Sequence, residues 1–238
     1  LGFSDVLLDP ECPVANRLES VGTIRRNAAH LLTIIDDILD ISKLESGRLT
    51  IDRAHVSPRD LALEITSLLH VRAEEKELKL SVEFHSAIPQ TIDSDPKRLR
   101  QILLNLVGNA VKFTDAGEVR LSVKSLNDPA RQDPFISFEV SDTGVGIAPE
   151  QLQGLFDCFN QGDMSAKRRF RGMGLGLAVS MRLARMLGGD IVVASTPGEG
   201  SIFRLVLPIR SAGESPRRLD AGGPAGGRAP AVQPALVQ

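Results

Sequence analysis

Between Val14 and Glu45, apolar residues recur at alternating intervals of four and three through Ile24, Ala28, Leu31, Ile35 and Ile38. Val21, Leu32 and Leu39 widen this stripe. The spacing predicts one amphipathic helix of about thirty residues, closed by Gly47 and suited to a bundle or a dimer seam. The periodicity also admits one helix of a single-chain bundle. Residues 1–9 read as the tail of an earlier helix, ended by Asp9-Pro10. After Arg48 the period changes to two: Leu49/Ile51, Leu78/Leu80/Val82/Phe84, Val119/Leu121/Val123 and Ile136/Phe138/Val140 alternate with polar residues, and strand-like runs occupy 190–195 and 201–207. Helical patterns lie at 57–75, 96–113, 149–157 and 174–187. Strands and helices are mixed, with hairpin-like pairs near the end. That predicts an α+β chain: a two-layer α/β sandwich in which a mixed sheet is covered by helices on one face, preceded by the long helix. From Ala212 onward the residues are almost all Ala, Gly, Pro, Arg and Ser, so a disordered tail or linker is expected over 211–238.

Composition narrows the classes. Net charge of -2 gives no general pull toward nucleic acid or membrane. Two cysteines, Cys12 and Cys158, do not make a disulfide framework. No apolar run approaches the ~18 residues of a membrane span, and the default location is the cytoplasm. The chain begins at Leu1 rather than Met, which points to a piece of a longer protein.

Candidate chemistry lies in four segments. Asp95-Pro96 starts a helix whose core face carries Leu99, Ile102, Leu103, Leu106 and Ala110; Asn105, Asn109 and Lys112 form a separate polar stripe. Two interior asparagines weaken a helix, so polar partners are expected there. Asp142 ends a strand pattern and precedes Gly144, Gly146 and Ile147, where the glycines let backbone approach a flat ligand. Phe156 and Phe159 flank the start of a polar stretch, 160–171, containing Lys167, Arg168, Arg169 and Arg171. Gly172, Gly174, Leu175 and Gly176 lead into a helix whose free amides suit phosphate oxygens. Neither Gly-x-Gly-x-x-Gly nor Gly-x-x-x-x-Gly-Lys-Ser/Thr occurs there.

In this order the four segments resemble the ATP-binding catalytic domain of sensor histidine kinases, a Bergerat or GHKL-type fold, and the resemblance covers roughly residues 1–210. It implies a partial dimerisation region at 1–47, with Asp37 to Gly47 similar to the end of the second dimerisation helix, and an ATP-binding domain at 48–210. It also implies ATP and Mg2+, with Asn109 as the metal ligand and Asn105 and Lys112 as catalytic positions. Phe113, Asp142, Gly144, Gly146, Ile147, Phe159, Gly172, Gly174, Leu175, Gly176 and Ser201 are then ATP-binding, with Asp142 accepting from the adenine amino group. The family often carries a hydroxyl where this chain has Met173. Related hydrolases commonly place a water-activating glutamate where Asn105 stands, and an amide cannot take that proton. Phosphoryl transfer to a histidine is therefore expected over hydrolysis.

The family's His-Glu-x-x-x-Pro motif is absent, so the accepting histidine is expected outside this chain. His30 lies on the second helix, where the family has no acceptor, and His55, His70 and His85 read as structural. Implied partners are a histidine-containing phosphoacceptor helix, a response-regulator receiver domain and a second copy of the chain. The alternative is an ATP-binding and dimerisation module without transferase activity.

Overall fold

The computed structural model describes residues 6–7, 12–85, 88–126, 134–157 and 175–209. The long helix α1 (Val14–Glu45) forms as expected. Gly47, at φ +65°, lets Gly47 N–H reach Leu44 O and Arg48 N–H reach Lys43 O, at 3.2 and 3.0 Å. Those bonds satisfy carbonyls the helix leaves open. The apolar stripe stays uncovered: Leu31, Leu32, Ile35, Ile38 and Leu39 are 44–62% exposed. The side chain of His30 lies outside the described residues, as does most of the 1–9 segment.

Beyond α1 come β1 (Ala54–Val56), α2 (Pro58–Glu74), β2 (Lys79–His85), β3 (Ile92–Ser94), α3 (Pro96–Phe113), β4 (Glu118–Leu126) and β5 (Phe135–Asp142). A short α4 (Pro149–Leu152), α5 (Leu175–Met186), β6 (Asp190–Thr196) and β7 (Gly200–Pro208) follow. The five-stranded sheet runs β2-β4-β5-β7-β6, with β2 parallel to β4 and the other pairs antiparallel. β1 and β3 form a separate antiparallel pair. Helices α2, α3 and α5 bury Ile65, Leu103, Leu106 and Leu183 against Leu121, Phe138 and Leu205 of the sheet, which is the two-layer α+β arrangement the alternation predicts. Among the described residues no helix is long and apolar enough to cross a membrane.

Two expected elements differ. Leu49 and Ile51 do not form a strand: Leu49 is buried as a linker residue, and the next amide, Asp52 N–H, is taken by the Asp95 carboxylate at 2.9 Å instead of a strand partner. Pairing begins at Ala54. The helix expected at 149–157 stops at Leu152, and the following turns are held by Leu155 N–H on Leu152 O and Asp157 N–H on Gly154 O. Gly154 is a weak helix former, and bonds to the third residue back tighten the chain into turns.

Candidate functional site

Helix α3 is fixed at both ends. Asp95 Oδ1 accepts Arg98 N–H at 3.0 Å, and Pro96 occupies the first turn, where no amide donor is needed. At the other end Lys76 Nζ donates to the carbonyls of Val111, Lys112 and Thr114 at 2.9, 2.7 and 2.9 Å. A cation there complements the helix dipole and occupies carbonyls that lack helical partners. Along the stripe, Asn105 Nδ2 donates to Ser180 Oγ of α5 at 2.9 Å, and Asn109 Nδ2 donates to Asn105 Oδ1 at 3.3 Å. Asn109 is thereby turned so that its amide oxygen is the atom left to ligate a hard cation. Gly176, near the start of α5, lies so close that a Cβ would strike Asn105 Oδ1. The expectation of polar partners for the asparagines holds, and α5 supplies the first.

Lys112 Nζ sits 5.0 Å from the Phe113 ring centroid, an attractive cation–π distance. Burial lowers its pKa from the usual lysine value, so a nearby anion would restore charge otherwise disfavoured.

The second half of the site is made at the ends of β5 and β7. Asp142 pairs with Ser201 across the ladder, and its carboxylate accepts the Gly144 amide hydrogen at 2.8 Å and the Ser201 amide hydrogen. Burial pushes the Asp142 carboxyl above its ordinary value, and these two amides oppose the rise. Gly144 is crowded: a Cβ would stand 2.6 Å from Phe113 O and 2.8 Å from Asp142 Oδ1. Gly146 has φ +66° and faces the Thr196 carbonyl, so both its conformation and its surroundings exclude a side chain. The turn is clipped by Val145 N–H on Phe113 O and by Gly198 N–H on Val145 O, at 3.4 and 2.9 Å.

Ser195 organises the rim. Its hydroxyl donates to Gly200 O at 2.8 Å and accepts Ile147 N–H at 2.8 Å. With its one proton spent, it must accept from Ser201 Oγ, 3.0 Å away. Ser201 is buried, and its hydroxyl points to Ser195.

The structure thus brings Asn105, Asn109, Gly176, Lys112 and Phe113 together on or beside α3, and Asp142, Gly144, Gly146, Ile147 and Ser201 at the strand ends. Leu175 is buried at the first position of α5. Phe156 is partly buried against the core. Phe159, Gly172, Gly174 and the basic segment 160–171 lie outside the described residues. Sequence reasoning missed Ser180, Ser195 and Lys76. Small hydroxyls and a lone lysine carry no periodic signal, and each acts on a segment 35 to 75 residues away.

A family model described as histidine kinase-, DNA gyrase B-, and HSP90-like ATPase matches residues 94–211. Over 214 residues the chain is 40% identical to the sensor protein GacS of Pseudomonas syringae pv. syringae, covering 90% of this chain and 23% of that protein. The signal transduction histidine-protein kinase BarA of Escherichia coli (strain K12) is 38% identical over 205 residues, 85% of this chain and 22% of its own length. The crystal structure of full-length ShkA in complex with AMPPNP superimposes with a TM-score of 0.70 at 33% identity, over 89% of this chain and 42% of that one. The chain spans under a quarter of the length of GacS or BarA.

Proposed function

We propose a phosphoryl-transfer role for this chain, which belongs through residues 94–211 to the histidine kinase-, DNA gyrase B-, and HSP90-like ATPase family and carries the catalytic domain type of sensor histidine kinases. In that role it binds Mg-ATP and passes the γ-phosphoryl group to a histidine of a two-component signalling system. The observation that carries the reading is one pocket wall with two chemistries. A partly buried carboxylate lies at a turn whose Gly144 and Gly146 have no room for a Cβ, and an asparagine pair stands on the helix that contacts this turn.

Asp142, ionised, accepts from the adenine amino group and offers no donor to a guanine carbonyl. Phe113 and Ile147 supply apolar surface for the base. Asn109 presents its amide oxygen to the metal, and Asn105 holds that amide in place. A magnesium ion held by Asn109 would supply positive charge against the phosphate being transferred. Lys112 places a positive charge nearby, and Gly176 lets α5 approach without a side chain in between. Gly172, Gly174 and Phe159 are proposed to complete the nucleotide contacts. Asn105 bonded to Ser180 is an amide in a structural pair, which supports transfer to another nucleophile over water activation.

Residues 1–47 are read as part of a dimerisation region, 48–210 as the ATP-binding domain and 211–238 as a tail. The exposed apolar stripe of α1 supports a homodimer. A phosphoacceptor helix and a receiver domain are the proposed protein partners.

Titration calorimetry with Mg-ATP, followed by incubation of labelled ATP with a helix bearing His-Glu-x-x-x-Pro, tests this. Saturable binding and label on the histidine are expected, and the label is lost in Asn109→Asp. A folded sample that takes up no nucleotide sinks the proposal. Binding without transfer to any acceptor supports the module reading instead.

A further inference from the structure

The polar stripe of α3 is longer than its ligand-facing part. Arg98, Gln101, Asn105, Asn109 and Lys112 succeed one another at intervals of three, four, four and three, so all five share one face of the helix. Their contacts divide them. Arg98 Nη1 donates to both carboxylate oxygens of Asp40 on α1, at 3.2 and 3.1 Å, and to Gln101 Oε1 at 3.0 Å. Gln101 Nε2 donates to Asp40 Oδ2 at 2.8 Å. Asn105 turns to α5, while Asn109 and Lys112 lie at the end assigned to metal and phosphate.

The Asp40 clasp is close to sealed. Its side chain and that of Arg98 are each 12% exposed, and they lie 58 positions apart in sequence. A largely buried ion pair with an added hydrogen bond from the Gln101 amide holds a fixed geometry, because removing one partner strands the other charge away from water. The same end of α3 carries a second tether: Asp95 caps the helix with one oxygen and holds Asp52 N–H, in the segment after α1, with the other. The long helix is therefore fastened where the nucleotide helix begins. A rise of 1.5 Å per residue sets Arg98 roughly 16 Å from Asn109 along a continuous rigid helix.

We propose that Asp40, Arg98 and Gln101 are positioning residues for phosphoryl transfer, fixing α3 against α1 so that the lie of the long helix sets the lie of the metal and phosphate ligands. The consequence for transfer rests on the function proposed above; the clasp rests on its own contacts. Affinity for nucleotide is set inside the catalytic half and does not depend on the clasp. The orientation in which the bound phosphate is presented does.

The test uses spin labels at Arg25→Cys and Glu199→Cys in a background of Cys12→Ser and Cys158→Ser, read by pulsed dipolar spectroscopy. With labelled chains diluted in an excess of unlabelled ones, so that pairs within one chain dominate, the unaltered clasp is expected to give one narrow distance, and Asp40→Ala and Arg98→Met a broad distribution. Asp40→Glu and the exchanged pair Asp40→Arg with Arg98→Asp should restore the narrow one. Calorimetry should find Mg-ATP affinity within about twofold in all of them, since no variant touches the ligand end. Transfer to the acceptor helix should fall roughly tenfold to a hundredfold in the broad variants, the scale of a small misplacement of reacting groups. A distance that stays narrow in Asp40→Ala, or transfer that is unchanged when it broadens, overturns the proposal. If Arg98→Met does not fold, the contrast of Asp40→Ala, which strands the Arg98 charge, with Asp40→Glu, which pairs it again, decides. Failure of the unaltered chain to bind nucleotide, with the distance response intact, sinks the proposed function and leaves the clasp as an orienting contact.

Discussion

The adenine end and the phosphate end of the proposed site are made from different materials. At the adenine end the shape is backbone: Gly144 against Phe113 O, Gly146 against Thr196 O, and a turn clipped to α3 and to the β6–β7 hairpin. At the phosphate end the shape is side chain: Asn109 held by Asn105, which is held by Ser180. Backbone crowding resists any added atom, so a base site built this way fails abruptly. A side-chain relay loses one bond at a time, so the other end fails by degrees.

Substitutions that separate adenosine from Mg-ATP test that contrast. The largest effect is expected for Gly144→Ala, whose methyl would be forced between Phe113 O and Asp142 Oδ1. Both adenosine and Mg-ATP should weaken by roughly a hundredfold in calorimetry, the upper scale of overpacking. Asn109→Ala should weaken Mg-ATP by roughly tenfold to a hundredfold, as for a lost bond to a charged group, and leave adenosine alone. Equal losses for both ligands would dissolve the division into two ends.

Asp142→Asn should lower adenosine affinity by roughly tenfold, and the preference for adenine over guanine should narrow because an amide can donate as well as accept. The same residue gives a pH signature. Burial raises its pKa, and adenine recognition needs the ionised form. Affinity is thus complete above the raised value and is lost as pH falls through it. A titration series that stays flat for the unaltered protein, or keeps its acid step in Asp142→Asn, counts against Asp142 as the acceptor. The smallest effect is expected for Ser180→Ala, about fivefold on Mg-ATP and none on adenosine, since one neutral bond is removed from Asn105.

Much of this was readable along the chain. Residues of period two became β2, β4 and β5, the strand-like runs at 190–195 and 201–207 became β6 and β7, and Asp95-Pro96 started α3 as its capping chemistry requires. Asn105 and Asn109 announced themselves as polar residues misplaced in a helix interior. Arg98 and Gln101 did not, although they extend the same stripe, because an arginine and a glutamine near a helix start are ordinary on a solvated surface. Only folding shows that Asp40 faces them. Leu49 and Ile51 mimicked a strand because alternation reports burial on one side, not pairing; the Asp52 amide had already found a carboxylate. Ser195 was invisible for the related reason that its partners are the Ile147 turn, 48 residues away, and the backbone and side chain at the start of β7.

Lys76 has one further consequence. Its ammonium grips two carbonyls in the final turn of α3 and that of the capping Thr114, the stretch where isolated helices fray first. Frayed ends exchange their amide hydrogens for deuterium within the dead time of an experiment, whereas clamped ends report on opening of the whole unit. The amides of Val111 to Thr114 should therefore exchange as slowly as those in the middle of the helix. In Lys76→Met they should exchange early, and the last turn should open while the sheet beneath it stays closed.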